Sequence, residues 1–284
     1  MKTKKYLVTG GLGFVGSNLV DLLVSKGHSV DVIDDLSSGF IENENSKANN
    51  FIGDIKLITT KLQERKYDCI FHLAAEARIQ PSFKNPELWM QTNVQGTVAV
   101  CEFARRYNAR VVLAGSSSCY GGKYKNPYTF SKKLSEEVCE MYSKIYGLST
   151  VIARFFNVYG PRNPLIGEFT PVIAKFEQQI KKGQPLTVVG DGEQRRDFTH
   201  VQDICEGLYL MSKNDWKAEI FNLGTGKNYS LNEVAKMFGN NIKHIPISPG
   251  ESKETLADTR DANEKLGWRA KTILSDYIKE IIDE

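Results

Sequence analysis

No two cysteines in this sequence stand at CxxC spacing. The five present (Cys69, Cys101, Cys119, Cys139 and Cys205) are scattered and odd in number, so they read as reduced, buried small hydrophobes rather than a zinc site or a disulfide framework. The four histidines, His28, His72, His200 and His244, show no metal-ligand spacing, and no metal site is expected. Charge of one sign is scarce too: 37 basic residues face 34 acidic ones, and apart from Lys2, Lys4 and Lys5 there is no dense basic stretch. That balance argues against nucleic acid or an anionic membrane as partner. No apolar run is long enough to span a bilayer, and the chain passes from Met1 almost directly into a strand-like segment at Tyr6, with no room for a signal peptide. A cytoplasmic location is the expectation. Internal repeats and low-complexity tracts are absent as well. What remains is an ordinary globular composition over 284 residues, 41% hydrophobic and 25% charged, large enough to be stable on its hydrophobic core alone.

Short apolar runs alternate with longer segments of helical period: Tyr6 to Thr9, Phe14 to Ser25, Ser29 to Ile33, Cys69 to Leu73, Leu88 to Tyr107, Arg110 to Ala114, Ser131 to Tyr146, Thr150 to Arg154. This rhythm predicts an α/β fold, a Rossmann-type doubly wound parallel sheet covered on both faces, over residues 1–156. Beyond Asn157 the pattern loosens into glycine and proline clusters, which predicts a smaller, loop-rich substrate lobe over 157–284, with segments such as 196–224 returning to the first domain. The polar stretch Glu42 to Asn50 reads as an exposed loop.

The first strand runs into Gly10-Gly11-Leu12-Gly13-Phe14-Val15-Gly16, where a helix begins. Glycines at such a turn let the backbone approach a pyrophosphate, whose charge then rests on amides at the positive end of the helix. Gly10, Gly13, Phe14, Val15 and Gly16 are therefore candidate cofactor residues. Asp34 ends the second strand, where a carboxylate accepts both adenine-ribose hydroxyls and repels a 2′-phosphate, so NAD is expected rather than NADP. Asp35 and Ser38, just beyond it, complete this part of the candidate site.

Further segments carry a resemblance. TGGLGFVGSNL from Thr9, Phe71-His72-Leu73-Ala74-Ala75, Asn93-Val94-Gln95-Gly96-Thr97, the serines before Tyr120-Gly121, Tyr128 with Lys132, Arg154 to Arg162, Arg196-Asp197-Phe198-Thr199-His200-Val201 with Asp203, and Phe221-Asn222-Leu223-Gly224 follow one another from end to end. In order and spacing they resemble the extended short-chain dehydrogenase/reductase family, in particular UDP-galactose 4-epimerases and their UDP-N-acetylglucosamine-processing relatives. The resemblance implies that Asp54 and Ile55 flank the adenine, that Leu73, Ala74 and Ala75 line the pyrophosphate path, and that Asn93 lies near the cofactor. It also implies a homodimer paired through the helices Leu88 to Tyr107 and Ser131 to Tyr146.

Tyr128 and Lys132, four residues apart at a helix start, share one face. A tyrosine with its ordinary pKa of about 10 is a poor base at neutral pH; a neighbouring ammonium and a positive nicotinamide would favour the phenolate. Lys132 would also hold the nicotinamide ribose. The hydroxyl that orients the substrate oxygen is sought in the serine run ending the strand; by the resemblance the active serine or threonine lies four residues before the Tyr-Gly pair, here Tyr120-Gly121, which implies Ser116, with Ser117 as the alternative. By the resemblance, 4,6-dehydratases carry Asp-Glu just after the active threonine and uronate decarboxylases a nearby glutamate, whereas here Ser117 and Ser118 follow. Without that second acid/base pair, the chemistry expected is oxidation at carbon 4 of the sugar, rotation of the 4-keto sugar and reduction on its other face. Other enzymes on the same scaffold and a non-catalytic nucleotide-binding protein are the alternatives. Cys119 invites comparison with cysteine-using epimerase/reductases, but a packed thiol is the expectation.

For the nucleotide sugar, with UDP favoured, the resemblance assigns Asn157 and Arg196 to the diphosphate, Leu186, Thr187 and Val188 to the base, and Glu251 to the nucleoside ribose. Ser248 stands where the family pattern has an arginine, which removes one diphosphate contact. Thr255 falls at the position that gates the substituent on sugar carbon 2; it either admits an N-acetyl group or simply packs in the lobe. The connection Gly121 to Pro127 is shorter than in relatives, which opens the wall beside the sugar.

Overall fold

The computed structural model describes residues 2–164, 170–239, 241–246 and 252–283. Chain order gives β1 (Lys5–Thr9), α1 (Phe14–Ser25), β2 (Ser29–Asp34), β3 (Asn49–Ile52), α2 (Ile58–Lys61) and β4 (Cys69–His72). Then come α3 (Ile79–Lys84), α4 (Pro86–Trp89), a π-helical turn (Met90–Gln95), α5 (Gly96–Tyr107), β5 (Arg110–Ser116), α6 (Pro127–Tyr146) and β6 (Thr150–Phe155). The remainder holds β7 (Val158–Tyr159), α7 (Val172–Lys181), β8 (Leu186–Val189), β9 (Arg195–Asp197), β10 (Thr199–His200), α8 (Val201–Met211) and β11 (Lys217–Leu223). It ends with β12 (Asn228–Ser230), α9 (Leu231–Phe238), β13 (Ile242–Ile245), α10 (Arg260–Leu266) and α11 (Leu274–Asp283).

Seven strands form one parallel sheet in the order β11-β6-β5-β4-β1-β2-β3. Alternation along each strand sends neighbouring side chains to opposite faces. Val8, Val32 and Phe71 pack with Leu19 and Leu23 of α1 and Ile204 and Leu208 of α8. Leu7, Ile33, Ile70 and Val111 pack on the other face with Val100 and Phe103 of α5 and Cys139 of α6. This double coverage is why the strands are almost wholly apolar, as parallel sheets require. A third core, built on Phe176, Val188, Val234, Phe238 and Ile278, belongs to the second lobe, where β8 pairs with β13 and β9 with β12.

Three local departures from the sequence pattern matter. The continuous helix expected from Leu88 is broken into α4, the π-helical turn and α5, and the extra residue of that turn buries Asn93. Asn49 and Asn50, at the end of the expected loop, open β3, an edge strand held by main-chain pairing to β2 and by Phe51, which packs on the second core. The helix carrying Tyr128 begins at Pro127, with the Asn126 carboxamide accepting from the Thr129 amide at 2.7 Å. The switch point lies where β1 is flanked by β2 and β4, and the ends of β1, β4 and β5 open onto one crevice.

Candidate active site

The glycine turn is determined by space. Gly10 has φ of +67°, and a Cβ there would lie 2.7 Å from the Ala74 amide nitrogen; one on Gly16 would lie 2.0 Å from the Gly10 carbonyl oxygen. A Cβ on Gly13 would meet only that same oxygen, at 3.3 Å, and α1 starts with no side-chain cap. The helix end thus presents uncapped amides, as an anionic pyrophosphate requires. Thr9 ties the second wall to it: its carbonyl accepts from the Leu73 amide at 3.2 Å and its hydroxyl from the Ala74 amide at 3.1 Å.

Asp34 is 6% exposed, and its two oxygens accept from the amides of Leu12 (3.0 Å) and Leu36 (2.8 Å). Burial pushes its carboxyl above the ordinary range, and the adjacent Asp35 adds to the shift. Asp35 is exposed and accepts from the amide and hydroxyl of Ser37; Ser38 is exposed beside it. Asp54 caps a short turn after β3 through the Lys56 amide at 2.8 Å, and Ile55 lies buried against Gly96. Asn93, 2% exposed, accepts from the Glu76 amide at 2.7 Å and donates to the Glu76 carbonyl (3.0 Å) and the Ser131 hydroxyl (2.9 Å). Its carboxamide therefore fastens the segment after Ala75 to α6.

At the end of β5, the Ser116 hydroxyl donates to Ser118 Oγ at 2.9 Å, and it lies near enough to the Tyr128 phenol to favour its ionised form. Lys132, 7% exposed, donates to the Ala114 carbonyl at 2.8 Å, one strand position pair short of Ser116. The structure thus brings Ser116, Tyr128 and Lys132 together from β5 and α6. Among these side chains alone burial pushes the phenol up, and Ser116 and the Arg78 charge only partly oppose it; the expected lowering belongs to the phenol with a positive nicotinamide beside it. Burial also lowers Lys132 to about 8. The same desolvation that makes a buried phenolate costly makes a buried ammonium costly, so a further positive charge is needed to bring Tyr128 into use.

Ser117 is half-buried in the turn that follows, with no carboxylate at its neighbours Ser116 and Ser118. Burial, then the Glu136 charge, pushes the Cys119 thiol up to about 11, which opposes thiolate chemistry. His72 bridges the hydroxyls of Thr9 (2.9 Å) and Thr97 (3.1 Å), and burial with the nearby Lys132 charge lowers it to about 3, so it is a neutral strut. Among the described residues no cluster of His, Cys, Asp and Glu could hold a metal, and no helix is long and apolar enough to cross a membrane.

In the second lobe, Asn157 donates to the Asp197 carbonyl (2.8 Å) and to Thr255 Oγ1 (3.1 Å), so Thr255 is tied into the lobe. Arg196 donates to the carbonyl of Arg195 at 2.9 Å. Leu186 and Val188 point into the third core, while Thr187 is held by Gln179 through its amide and hydroxyl. Glu251 and Ser248 lie outside the described residues. An open groove of about 680 Å³ is lined by Tyr120, Arg154, Asn222 and Leu256 among others.

Sequence reasoning missed three elements. Glu136 (2% exposed side chain) accepts a two-pronged bond from Arg154 at 2.8 and 2.6 Å, and that guanidinium stacks 4.6 Å from the Tyr120 ring centre, bracing the turn after Ser116. Asp197 is fully buried and accepts from Thr225, Gly226 and Ala257, joining the lobe to the end of β11. Arg78 is the third. The signal for the first was Arg154 inside a strand, a charge that burial obliges to find a partner.

A doubly wound parallel sheet with a glycine turn after β1 and Ser116, Tyr128 and Lys132 at its edge is the architecture of extended short-chain dehydrogenases/reductases. Residues 6–224 match the NAD dependent epimerase/dehydratase family, and the chain belongs to that family of nucleotide-sugar enzymes. The UDP-glucose 4-epimerase of Mycolicibacterium smegmatis is 33% identical, over 98% of this chain and 97% of its own. The UDP-glucuronate 4-epimerase of Thermodesulfobacterium geofontis is 29% identical, over 98% and 95%. The solved UDP-glucose 4-epimerase of Thermotoga maritima, with UDP-glucose, superposes with a TM-score of 0.93 at 30% identity, covering 98% of this chain and 97% of that one.

Proposed function

We propose that the protein is an NAD-dependent 4-epimerase of UDP-hexoses, interconverting UDP-glucose and UDP-galactose and accepting the N-acetylated pair, UDP-N-acetylglucosamine and UDP-N-acetylgalactosamine. The observation that carries this is the convergence of Ser116, Tyr128 and Lys132 with only serines in the two positions after Ser116. A base, an orienting hydroxyl and a cation suffice to oxidise and reduce one carbon; elimination of water needs a further acid/base pair.

The glycine turn fits a dinucleotide, since Gly10 and Gly16 let the turn, the segment at Ala74 and the start of α1 pack too closely for any Cβ and leave the uncapped amides of α1 to a pyrophosphate. Gly13, Phe14 and Val15 would face the pyrophosphate, Asp34 with Asp35 and Ser38 the adenine ribose, and Asp54 and Ile55 the adenine, while Leu73 to Ala75 would line the pyrophosphate path and Asn93 would lie near the cofactor. When bound, NAD supplies the redox capacity and a positive ring. Tyr128 takes the proton from the 4-hydroxyl and returns it, Ser116 orients that oxygen, and Lys132 holds the ribose while its charge favours the phenolate. Asn157 and Arg196 would meet the diphosphate, Thr187 with the strand of Leu186 and Val188 the base, Glu251 the ribose, and Thr255 the region of sugar carbon 2. The chain reads as two parts, 1–156 for the cofactor and 157–284 for the nucleotide sugar, and as a cytoplasmic homodimer.

The test is proton NMR of the purified chain with UDP-glucose and, separately, UDP-N-acetylglucosamine, first without and then with added NAD. The galacto isomer is expected in both, with Tyr128→Phe slowing its appearance by at least about 100-fold. No isomer in either tube with NAD present overturns the reading.

A further inference from the structure

Ser116 caps the short turn Ser117–Gly121, and Tyr120 is clamped in that turn although the residue is 58% exposed. The Arg154 guanidinium lies 4.6 Å from its ring centre, and Glu136 fixes that guanidinium from α6 by two bonds of 2.8 and 2.6 Å. Side chains at paired positions of neighbouring strands share a face, so Asn222 of β11, the register partner of Arg154 in β6, is presented beside the same ring. The Tyr120 phenol donates to Asn222 Oδ1 at 2.8 Å, and Asn222 Nδ2 donates to the Asp258 carbonyl at 3.0 Å. A continuous path therefore runs from α6 through the serine turn to the segment that leads into α10.

That segment is a strap on the second lobe. Its main chain pairs with β9: the Arg195 amide donates to the Lys253 carbonyl at 2.9 Å, the Thr255 amide to the Arg195 carbonyl at 3.0 Å, and the Asp197 amide to the Thr255 carbonyl at 3.1 Å. The Ala257 amide donates to the Asp197 carboxylate at 3.1 Å. The strap, with Thr255 at its centre, thus moves with the lobe. The connection that follows Tyr120, short as it is, reaches the other end of the strap. Lys125 donates to Ser252 Oγ at 3.1 Å, and Gly121 comes so near that a Cβ on it would stand 3.2 Å from that oxygen. The stretch from Tyr120 to Lys125 therefore grips the strap at both ends, directly at Ser252 and through Asn222 at Asp258.

In the epimerase reading the lobe anchors the nucleotide, while carbon 4 of the sugar must meet Ser116 and Tyr128 twice, once from each face of the ring. The reach from anchor to reacting carbon is then the span from the strap to the serine turn, and a misplacement of about 1 Å at a reacting centre costs on the order of 100-fold. We propose that Tyr120 and Asn222 are positioning residues whose hydrogen bond sets this span, and so decides how often the 4-keto sugar is reduced rather than lost. The proposal rests on the reading that Ser116, Tyr128 and Lys132 act on carbon 4 of a UDP-hexose, and it adds the residues that hold the two halves of that site in register.

Two quantities are to be measured with UDP-glucose and NAD present. Proton NMR counts the isomer formed, and the absorbance of reduced cofactor counts the sites where the sugar was oxidised and not reduced again. Each such failure leaves one 4-keto sugar and one reduced cofactor, so failures per isomer formed is a ratio that does not depend on how much of a preparation is folded. Tyr120→Phe keeps the ring under Arg154 and removes only the hydroxyl. In it kcat is expected to fall at least about fivefold with KM changed less than about twofold, and the failure ratio to rise at least about fivefold. Asn222→Leu has at least the same effect, and the double variant is no worse than Asn222→Leu alone, because both substitutions break one connection. A failure ratio within about twofold of the wild type in Tyr120→Phe, whatever its rate, overturns the proposal. Effects of the two substitutions that multiply in the double variant also overturn it. A wild type that forms no isomer overturns the epimerase reading, and the positioning role with it.

Discussion

Lys132 shows how one buried residue couples cofactor binding to pH. Its ammonium rests on the Ala114 carbonyl, and burial lowers its pKa to about 8. Below that value the ammonium that the proposed function uses to hold the ribose and favour the phenolate is charged; above it the charge is lost. The rate is therefore expected to fall above about pH 8, and Lys132→Arg, which stays charged throughout, moves that limb upward by more than about one unit even though its geometry lowers the rate. A kcat/KM profile between pH 6 and 10 checks this, and a limb at the same pH in both proteins assigns it to another group. Ser116 came from the resemblance, whereas that Tyr128 and Lys132 share a face of one helix was legible from local spacing. The upward shift of Tyr128 was not, because desolvation depends on α3, α6 and β5 closing around the phenol.

At the scale of elements, β2 is anchored by a carboxylate that no motif marks. Asp31, fully buried, accepts from Asn49 (2.8 Å), Tyr67 (2.8 Å) and Arg65 (2.9 Å), with Lys5 at 3.4 Å. Burial raises its pKa, but Asn49, Tyr67, Lys5 and Arg65 together outweigh burial and leave it below the usual range. A group depressed on folding stabilises the fold above its unfolded pKa of about 3.9, and that contribution is lost as pH falls through the folded value. Asp31→Asn is therefore expected to cost about 2 kcal/mol at pH 7, with the deficit shrinking below pH 4; thermal unfolding at pH 7 and pH 3.5 measures it. A deficit that is the same at both values would mean that shape, not charge, holds β2. Apolar alternation made β1, β2, β4, β5 and β6 readable. The π-helical turn was hidden because one extra residue in a helix leaves the apolar period nearly unchanged while turning Asn93 inward.

For the molecule as a whole, the outer faces of α5 and α6 remain apolar where a monomer would be polar. Val98, Met141 and Ile145 are 37%, 38% and 67% exposed, and Met141 and Ile145 stand one turn apart on α6. A homodimer through this face is expected, and Met141→Glu with Ile145→Glu should convert it to a monomer in light scattering. A wild type already monomeric at micromolar concentration would remove this role from α5 and α6. The lobe is joined to the sheet through Asp197, whose four accepted bonds reach the end of β11 and the segment leading into α10. Replacing that carboxylate would therefore loosen the lobe before it loosened the sheet.

The sequence by itself determined what depends on neighbours along the chain: the glycine turn with its helix, the alternation that buries each strand, the serine at the end of β5, and the Tyr128–Lys132 spacing on α6. Only the tertiary structure decided what depends on segments far apart in the chain. Asn93 became a fastening because a π-helical turn and the segment after β4 meet at α6. Arg154 found Glu136 because β6 lies beneath that helix. Local periodicity reports which side of an element is buried; it carries no information about which distant groups share the space on that side.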